Sequence, residues 1–183
     1  MIAGKKDLVL MIRDLSLNFY LIISQTDENR QNLKQKMKIL IREGVQSDVP
    51  AIYQLVKELA IYEKEPHAVT ASLADYNKDF SEGIFEAFVA ETEGKIVGIA
   101  LYYMTYSTWK GRMLYLEDFV VAQSHRKQGI GQLLFNAYKE EAYKRGCRIV
   151  KWQVLEWNEP AIQFYKKNEA IIEPGWYNGK IFL

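Results

Sequence analysis

Hydrophobic residues follow two different spacings along the chain from residue 38 onwards. Short apolar runs predict strands, and apolar residues that recur every three or four positions predict helices. The predicted strands are residues 38–42, 85–90, 96–106, 113–121, 148–155, 170–172 and 176–182. The predicted helices are residues 47–60, 71–80, 130–145 and 158–168. The Glu93-Gly94 pair between the second and third strands indicates a hairpin.

This order of elements predicts an α/β (α+β) fold, in which a mixed, mostly antiparallel sheet of about six to seven strands has helices on both faces. Residues 38–183 contain no internal repeat and no linker, so we expect one domain from residue 37 to residue 183. Residues 1–36 form a separate N-terminal extension with an apolar segment followed by a polar one. Either Met37 is the natural start and the extension is mis-assigned or cloning-derived, or it is a real appendage that packs on the domain or on a partner.

Composition and charge exclude several classes of protein. With 49% hydrophobic and 26% charged residues, the chain has the composition of an ordinary soluble globular protein. Its net charge of +1 gives no field that would favour nucleic acid or an anionic membrane. The apolar run at 19–23 is far shorter than the roughly 20 residues that a bilayer requires. We therefore expect no membrane and no nucleic-acid partner, and a cytoplasmic location.

Cysteine and histidine are scarce in this chain. Cys147 is the only cysteine, so no disulfide can form within the chain, which fits a reducing compartment. The only histidines are His67 and His125, and a metal site built from His and Cys ligands is therefore not expected.

The most informative stretch lies between the strand at 113–121 and the helix that follows it. We call residues 126–131 the glycine loop, which consists of Arg126, Lys127, Gln128, Gly129, Ile130 and Gly131. Glycine lets a backbone approach a ligand closely, and the first N–H groups of a helix attract anions. Arg126 could add a forked contact to phosphate. The loop therefore predicts a site for the diphosphate of a nucleotide-like cofactor, although a basic turn capped by glycines has the same pattern.

The R-x-x-G-x-G spacing of the glycine loop resembles the acetyl-CoA pyrophosphate loop of the GNAT N-acetyltransferases. More specific segments are Y-L-E-D-F at 115–119, E-W-N-E-P at 156–160 and L-A-I-Y-E at 59–63. Together they resemble the diamine (spermidine/spermine) acetyltransferase branch and its thialysine-acetylating relatives, over about residues 38–178. The resemblance implies a GNAT fold, acetyl-CoA as co-substrate, no metal, and a homodimer. It also implies direct acetyl transfer to a primary amine of a small diamine, polyamine or thialysine-like molecule.

Two adjacent carboxylates interrupt the apolar strand at 113–121. Neighbouring residues on a strand point to opposite faces, so Glu117 or Asp118 faces a packed side unless a bulge redirects it. A buried carboxylate is costly without a partner, and a salt bridge at the strand end would be a purely structural explanation. The resemblance implies instead that Glu117 accepts the proton of the attacking ammonium, directly or through a water, and that Asp118 helps bind the amine.

The resemblance assigns further residues to the cofactor and to the departing thiolate. Tyr165, which by its spacing could equally be a core aromatic residue, protonates the thiolate of CoA in the family, as a phenol can. The backbone of Phe119 and Val121 would hold the pantetheine arm in the manner of a neighbouring strand. Asn158 is a good N-cap for the last helix and would also contact the arm.

Three more residues match positions that line the amine site of the resembled branch, namely Glu63, Trp109 and Trp176. A carboxylate and a tryptophan face both attract ammonium, although each residue also fits a structural role. The branch carries acids where this chain has Ser107 and Pro174, and fewer acids favour a shorter or singly charged amine. Two other functions stay open at this point: acetylation of protein lysines or N-termini, and CoA binding by a catalytically silent sensor.

Overall fold

The computed structural model describes residues 39–175 and 177–182, and the N-terminal extension and Trp176 lie outside these ranges. The strands are β1 (Leu40–Glu43), β2 (Glu86–Thr92), β3 (Lys95–Ser107), β4 (Gly111–Val121) and β5 (Ile149–Lys151). The helices are α1 (Val49–Tyr62), α2 (Leu73–Ser81), α3 (Ile130–Lys144) and α4 (Glu159–Lys167). Short 3-10 turns at Gln46–Asp48 and Gln123–His125 precede α1 and the glycine loop.

The five strands lie in the sheet in the order in which they occur in the sequence. β1 to β4 pair antiparallel, and β5 pairs parallel to β4 after the crossover through α3. At the β2–β3 hairpin both Glu93 and Gly94 have positive φ, as the tight turn of a twisted hairpin requires. The predicted mixed, mostly antiparallel sheet and the predicted hairpin are therefore confirmed.

The prediction of six to seven strands is wrong for the described residues, where five strands form. Among the described residues, the predicted strand at 170–172 and residues 177–182 of the predicted last strand pair with no neighbour. Ile171 and Phe182 are exposed at 85% and 86%, while Ala170 and Ile172 pack half-buried against the α3–α4 core. An apolar pattern predicts a strand but does not supply a neighbouring strand for its backbone hydrogen bonds. The strand predicted at 148–155 is similarly shortened to β5, because β4 and β5 pair over only three residues.

Helices cover both faces of the sheet, as predicted. On one face α3 and α4 pack through Leu134, Phe135, Tyr138 and Tyr165, and the Tyr138 hydroxyl donates to the Leu114 carbonyl at 2.6 Å. On the other face α1 packs through residues that include Ile52, Leu55 and Val56, while α2 contributes half-buried aromatic residues. Each face thus buries its own apolar layer, and the site described next lies where the two layers meet the end of β4.

Candidate active site

β4 and β5 separate partway along their length. They pair only from Met113 to Tyr115 on β4, so the second half of β4 has β3 as its sole neighbour among the described residues. Just after β4, the Ala122 N–H donates to the Val97 carbonyl of β3 at 2.8 Å. Because antiparallel backbone groups alternate in direction, those of Phe119 and Val121 point away from β3, into the gap. We call this gap the β4–β5 opening, and its wall is an unpaired strand edge that an extended ligand could pair with.

The glycine loop lies at one end of the β4–β5 opening. Lys127 and Gly129 both have positive φ, and Gly129, at φ +83°, is the residue from which α3 begins. Within the described residues, the Leu133 N–H is the first in this turn to bond backwards, to the Gly129 carbonyl at 3.2 Å. The N–H groups before it carry the positive pole of a fifteen-residue helix. This arrangement fits a diphosphate without any further charge.

The two glycines of the loop are required for different reasons. Gly129 has a left-handed backbone conformation, in which any L residue with a side chain would be strained. Gly131 is in the helix, and an added Cβ would lie 3.8 Å from the Phe119 ring, an ordinary van der Waals distance. The fold therefore accepts a methyl group at position 131. The absence of a side chain at Gly131 instead leaves the backbone of the first turn of α3 uncovered.

Arg126 is held in position by Val121 and Tyr62. Its Nε donates to the Val121 carbonyl at 2.9 Å, and its guanidinium lies 4.9 Å from the centre of the Tyr62 ring. The Tyr62 hydroxyl, at the end of α1, donates to Asn158 Oδ1 at 3.2 Å. Tyr62 thereby joins the glycine loop to the start of α4. Sequence reasoning assigned no role to Tyr62, although it directly precedes Glu63 in the L-A-I-Y-E segment.

Asn158 caps α4, as predicted. Its Oδ1 accepts from the Ala161 N–H at 3.4 Å, and Pro160 occupies the first turn, where no N–H is needed. The cap fixes where α4 begins and hence where its later residues lie. Asn158 and Tyr165 are two turns apart on this helix. Asn158 contacts Tyr62, and the ring of Tyr165 lies near that of Phe119 on β4, so both lie on the side of the core next to the β4–β5 opening.

Tyr165 is a core aromatic residue whose hydroxyl is protonated. Only 5% of the residue is exposed, and its ring lies 4.6 Å from that of Trp152 and 5.8 Å from that of Phe135. Burial, together with the negative charge of Glu63, raises the pKa of the Tyr165 hydroxyl above its usual value near 10. The phenol therefore keeps its proton at neutral pH. The core position indicated by its spacing and the acid role implied by the resemblance are compatible, since the ring packs in the core while the hydroxyl stays protonated.

A β-bulge places the two carboxylates of β4 in one cavity. Leu101 pairs with Asp118 while the next residue, Tyr102, pairs with Leu116, so Glu117 is the extra residue on β4. Glu117 is exposed and accepts from the Tyr103 hydroxyl at 2.8 Å, whereas Asp118 is half-buried. Neither carboxylate pairs with a Lys or Arg within residues 39–175 and 177–182. The predicted alternative of a strand-end salt bridge is therefore absent from this part of the chain.

The charges of three acids interact at this point of the molecule. Burial, with the nearby charges of Glu117 and Glu63, raises the pKa of Asp118 to about 7. Burial alone raises the pKa of the half-buried Glu63 at the end of α1. Carboxylates that are close together and poorly solvated resist ionisation until a cation joins them. The charges of Glu117 and Glu63 thus both act on Asp118.

The carboxylates of the bulge border a cavity of about 320 Å³, which we call the acidic cavity. Its lining residues are Ala71, Tyr76, Asp79, Ile84, Phe85, Leu101, Tyr103, Glu117 and Asp118. None of these nine residues is basic. The three other predicted amine-site residues are not among them. Glu63 lies at the C-terminal end of α1, Trp109 lies in the β3–β4 turn with 84% of its surface exposed, and Trp176 is outside the described residues.

Sequence reasoning missed three polar residues of the acidic cavity. Tyr76 and Asp79 come from α2, and Tyr103 comes from β3. Their sequence neighbourhoods contain no motif, so only the packing of α2 over the bulge reveals them. His125, which bonds to Ser124 Oγ through Nδ1 at 2.9 Å, and Cys147, which is half-buried against the α3–α4 core, lie outside this cavity.

Comparison with known proteins identifies the family. Residues 49–169 match the acetyltransferase (GNAT) family. The chain belongs to the GNAT acetyltransferases. The thialysine N-epsilon-acetyltransferase of Mus musculus is 40% identical over 136 residues, which cover 69% of this chain and 80% of that protein. The spermidine/spermine N(1)-acetyltransferase-like protein 1 of Homo sapiens is 35% identical over 149 residues, or 75% of this chain and 21% of that protein.

Solved GNAT structures agree with the fold. An aminoglycoside acetyltransferase from an uncultured soil metagenomic sample, in complex with trehalose, has a TM-score of 0.68 at 23% identity. The match covers 79% of this chain and 96% of that chain. The predicted GNAT fold is confirmed, and this GNAT chain is an N-acetyltransferase that depends on acetyl-CoA. None of the helices between residues 39 and 182 combines the length and apolar character needed to cross a membrane.

Proposed function

We propose that this GNAT enzyme transfers the acetyl group of acetyl-CoA to a primary amine of a small diamine, polyamine or thialysine-like molecule by direct attack. The observation that carries the proposal is the placement of the bulge carboxylates, Glu117 and Asp118, on the strand that also forms the wall of the β4–β5 opening. A carboxylate pair without a basic partner favours a cationic substrate. The two relatives, a thialysine acetyltransferase and a spermidine/spermine acetyltransferase-like protein by name, support the same class of amine.

The residues of the cofactor side fit acetyl-CoA. The amides of the glycine loop and the guanidinium of Arg126 would hold the diphosphate. The unpaired edge at Phe119 and Val121 would pair with the pantetheine arm, whose amides can bond to a strand edge. Asn158, which bonds to Tyr62 and caps α4, would contact the arm as well, as the resemblance implies. Acetyl-CoA supplies a thioester, which is an activated acyl donor.

The residues of the amine side fit a direct transfer. Glu63, Glu117 and Asp118 attract the ammonium form of the substrate, but only the neutral amine can attack. Glu117 accepts the proton, directly or through a water, and the nitrogen then bonds to the acetyl carbon as the carbon–sulfur bond breaks. Tyr165 gives its proton to the departing thiolate, the second proton that the nitrogen loses on becoming an amide passes to solvent, and solvent protonates Tyr165 again. Positioning the two substrates next to each other supplies much of the rate, and no acyl-enzyme is needed.

A thiol-release assay with acetyl-CoA tests this proposal. The panel contains short diamines, spermidine, thialysine, lysine and lysine-containing peptides, and the expected result is turnover with the small amines and none with the peptides. Glu117→Gln should lower turnover with every active amine. Turnover with peptides alone would support a protein acetyltransferase instead. Tight binding of CoA without release of thiol from any amine would support a sensor.

Two further expectations belong to this proposal. The resemblance to the diamine branch implies a homodimer, and analytical ultracentrifugation should give twice the mass of the chain. A monomer at micromolar concentration would contradict it. A cytoplasmic location is likewise expected, and fractionation of the source cells should place the protein in the cytoplasm.

A further inference from the structure

Helix α2 carries an acid at the end where an acid is least stable. Asp79 lies in the last turn of α2, next to the negative pole of the helix. It is half-buried, and its carboxylate has no hydrogen bond or salt bridge within the described residues. The chain thus places a carboxylate beside the negative pole of a helix, where it is less stable than at the other end. A ligand with a positive charge would offset this cost.

Asp79 faces the same cavity as the bulge carboxylates. Tyr76, one turn earlier on α2, shares its face, since residues three apart on a helix are neighbours. Burial, together with the charges of Asp118 and Glu117, raises the pKa of Tyr76. Tyr76 also lines the acidic cavity with both carboxylates, so this face of α2 is close to the bulge. Asp79 and the bulge carboxylates therefore occupy different walls of one cavity, the first on α2 and the others on β4.

The remaining walls also suit a cation. Tyr76, Phe85 and Tyr103 contribute aromatic rings, whose faces attract ammonium groups. Apart from these rings and the three carboxylates, the lining residues are apolar. No lining residue could neutralise a carboxylate on the substrate. The cavity thus accepts positive charge on both of its walls and offers nothing to a negative one.

We propose that Asp79 binds the second cationic group of the substrate, so that the preferred substrate is a short diamine without a carboxylate. This inference rests on the proposed function, because it assumes that the reacting amine lies at Glu117 and Asp118. The distal ammonium of a diamine would then reach α2 and pair with Asp79. In an amino acid such as lysine, the distal ammonium carries an adjacent carboxylate, which Asp79 would repel. Asp79 is in this view a residue that determines specificity, and it takes no part in the chemistry.

Three amines with the same five-carbon chain test the inference. Cadaverine has two amines, pentylamine has one, and lysine is cadaverine with an added carboxylate. The wild-type enzyme should show a kcat/KM for cadaverine at least about tenfold above those for the other two, the factor expected for one added ion pair. Asp79→Asn should remove this advantage by raising KM for cadaverine without changing kcat, and should leave pentylamine unaffected.

Glu82→Gln is the matched control. Glu82 is exposed at the same end of α2, does not line the acidic cavity, and loses the same charge on substitution. It should leave all three kcat/KM values unchanged. Thermal melting of both variants checks that they fold, because a general loss of structure would lower the turnover of pentylamine as well.

The outcomes separate this inference from the proposed function. If pentylamine is acetylated but cadaverine has no advantage, or if Asp79→Asn behaves like Glu82→Gln, Asp79 has no role in specificity while the proposed function stands. If wild type acetylates no amine, the proposed function fails, and calorimetry then measures cadaverine binding to the CoA-saturated protein. Binding that Asp79→Asn weakens about tenfold would retain the role of Asp79. Absent or unchanged binding would overturn it.

Discussion

The two halves of the site are built from different materials. The proposed cofactor side consists mainly of backbone groups: the N–H groups of the glycine loop and the unpaired edge of β4 at Phe119 and Val121. The proposed amine side consists of carboxylates that have no basic partner in the described part of the chain, with the pKa of Asp118 raised to about 7. Backbone dipoles are in place before any ligand arrives, whereas the carboxylates reach their charged state most easily when a cation binds. One half is therefore preorganised, and the other is completed by its substrate.

This difference teaches where sensitivity to mutation and to pH should appear. Changes on the cofactor side should alter CoA affinity through backbone geometry and should depend little on pH. Changes on the amine side should alter amine affinity through charge and should depend on pH. Tyr165 stands between the halves, because its ring belongs to the core while its hydroxyl is proposed to serve the departing thiolate.

The largest effect should come from this residue. Tyr165→Phe should lower kcat by about a hundredfold or more, the usual contribution of a proton donor, while the Kd of acetyl-CoA changes by less than about threefold. Steady-state kinetics and calorimetry measure the two quantities. Tyr138→Phe is the control, because it removes another buried phenol that bonds to Leu114 and should cost about 1 kcal/mol of stability with little loss of kcat. An equal loss of kcat in both variants would refute the acid role.

The next effect should come from the glycine loop. Gly129→Ala strains a residue at φ +83° and should weaken CoA binding by about tenfold, since the amides that follow it are displaced. Gly146→Ala, at φ +68° beyond the other end of α3, introduces the same strain far from the site. Both variants should lose similar thermal stability, but only Gly129→Ala should lose CoA affinity in calorimetry. Equal affinities would place the diphosphate elsewhere.

The amine side should respond to pH. Asp118 is neutral below about pH 7 and charged above it, so the affinity of the CoA-bound protein for cadaverine should rise about tenfold between about pH 5.5 and about pH 8.5. Cadaverine stays protonated over this range. Asp118→Asn should bind weakly at both values and show a flat profile in calorimetry. A rise of the same size in the variant would assign the titration to another group.

The smallest effect should come from Tyr62, which supports Arg126 from α1. Tyr62→Leu removes the ring 4.9 Å from the guanidinium and should raise the Kd of CoA by about threefold, the range of an exposed cation–π contact. Tyr62→Phe keeps the ring, loses the bond to Asn158, and should stay within about twofold of wild type. The ratio of the two Kd values isolates the ring. If both variants bind CoA like wild type, Arg126 does not depend on Tyr62.

Local features of the site could be predicted from the sequence, and features of its packing could not. Each of three features, namely the glycine loop, the cap at Asn158 and the paired acids of β4, consists of residues that are adjacent or a few positions apart, so local sequence indicates it. The bulge that places both acids in one cavity could be anticipated only as an exception to strand alternation. Asp79 and Tyr62 could not be found, because their roles depend on contacts across the fold.

The two segments predicted as the last strands show what a hydrophobic pattern alone cannot predict. Residues 170–172 and 177–182 have apolar residues that favour a strand, but a strand forms only where a neighbour accepts its hydrogen bonds. Among the described residues, neither segment pairs with an edge of the sheet. The pattern was therefore a correct measure of hydrophobicity and an incorrect predictor of structure.

The most direct measurement is a crystal structure of this protein with CoA bound. The diphosphate should lie within hydrogen-bonding distance of the N–H groups of Gly129 and Gly131. The pantetheine arm should follow β4 along Phe119 and Val121, with the sulfur facing the Tyr165 hydroxyl. A diphosphate bound away from the start of α3, or a sulfur on the far side of the sheet from Tyr165, would contradict the division of the site into a backbone-built half and a carboxylate half.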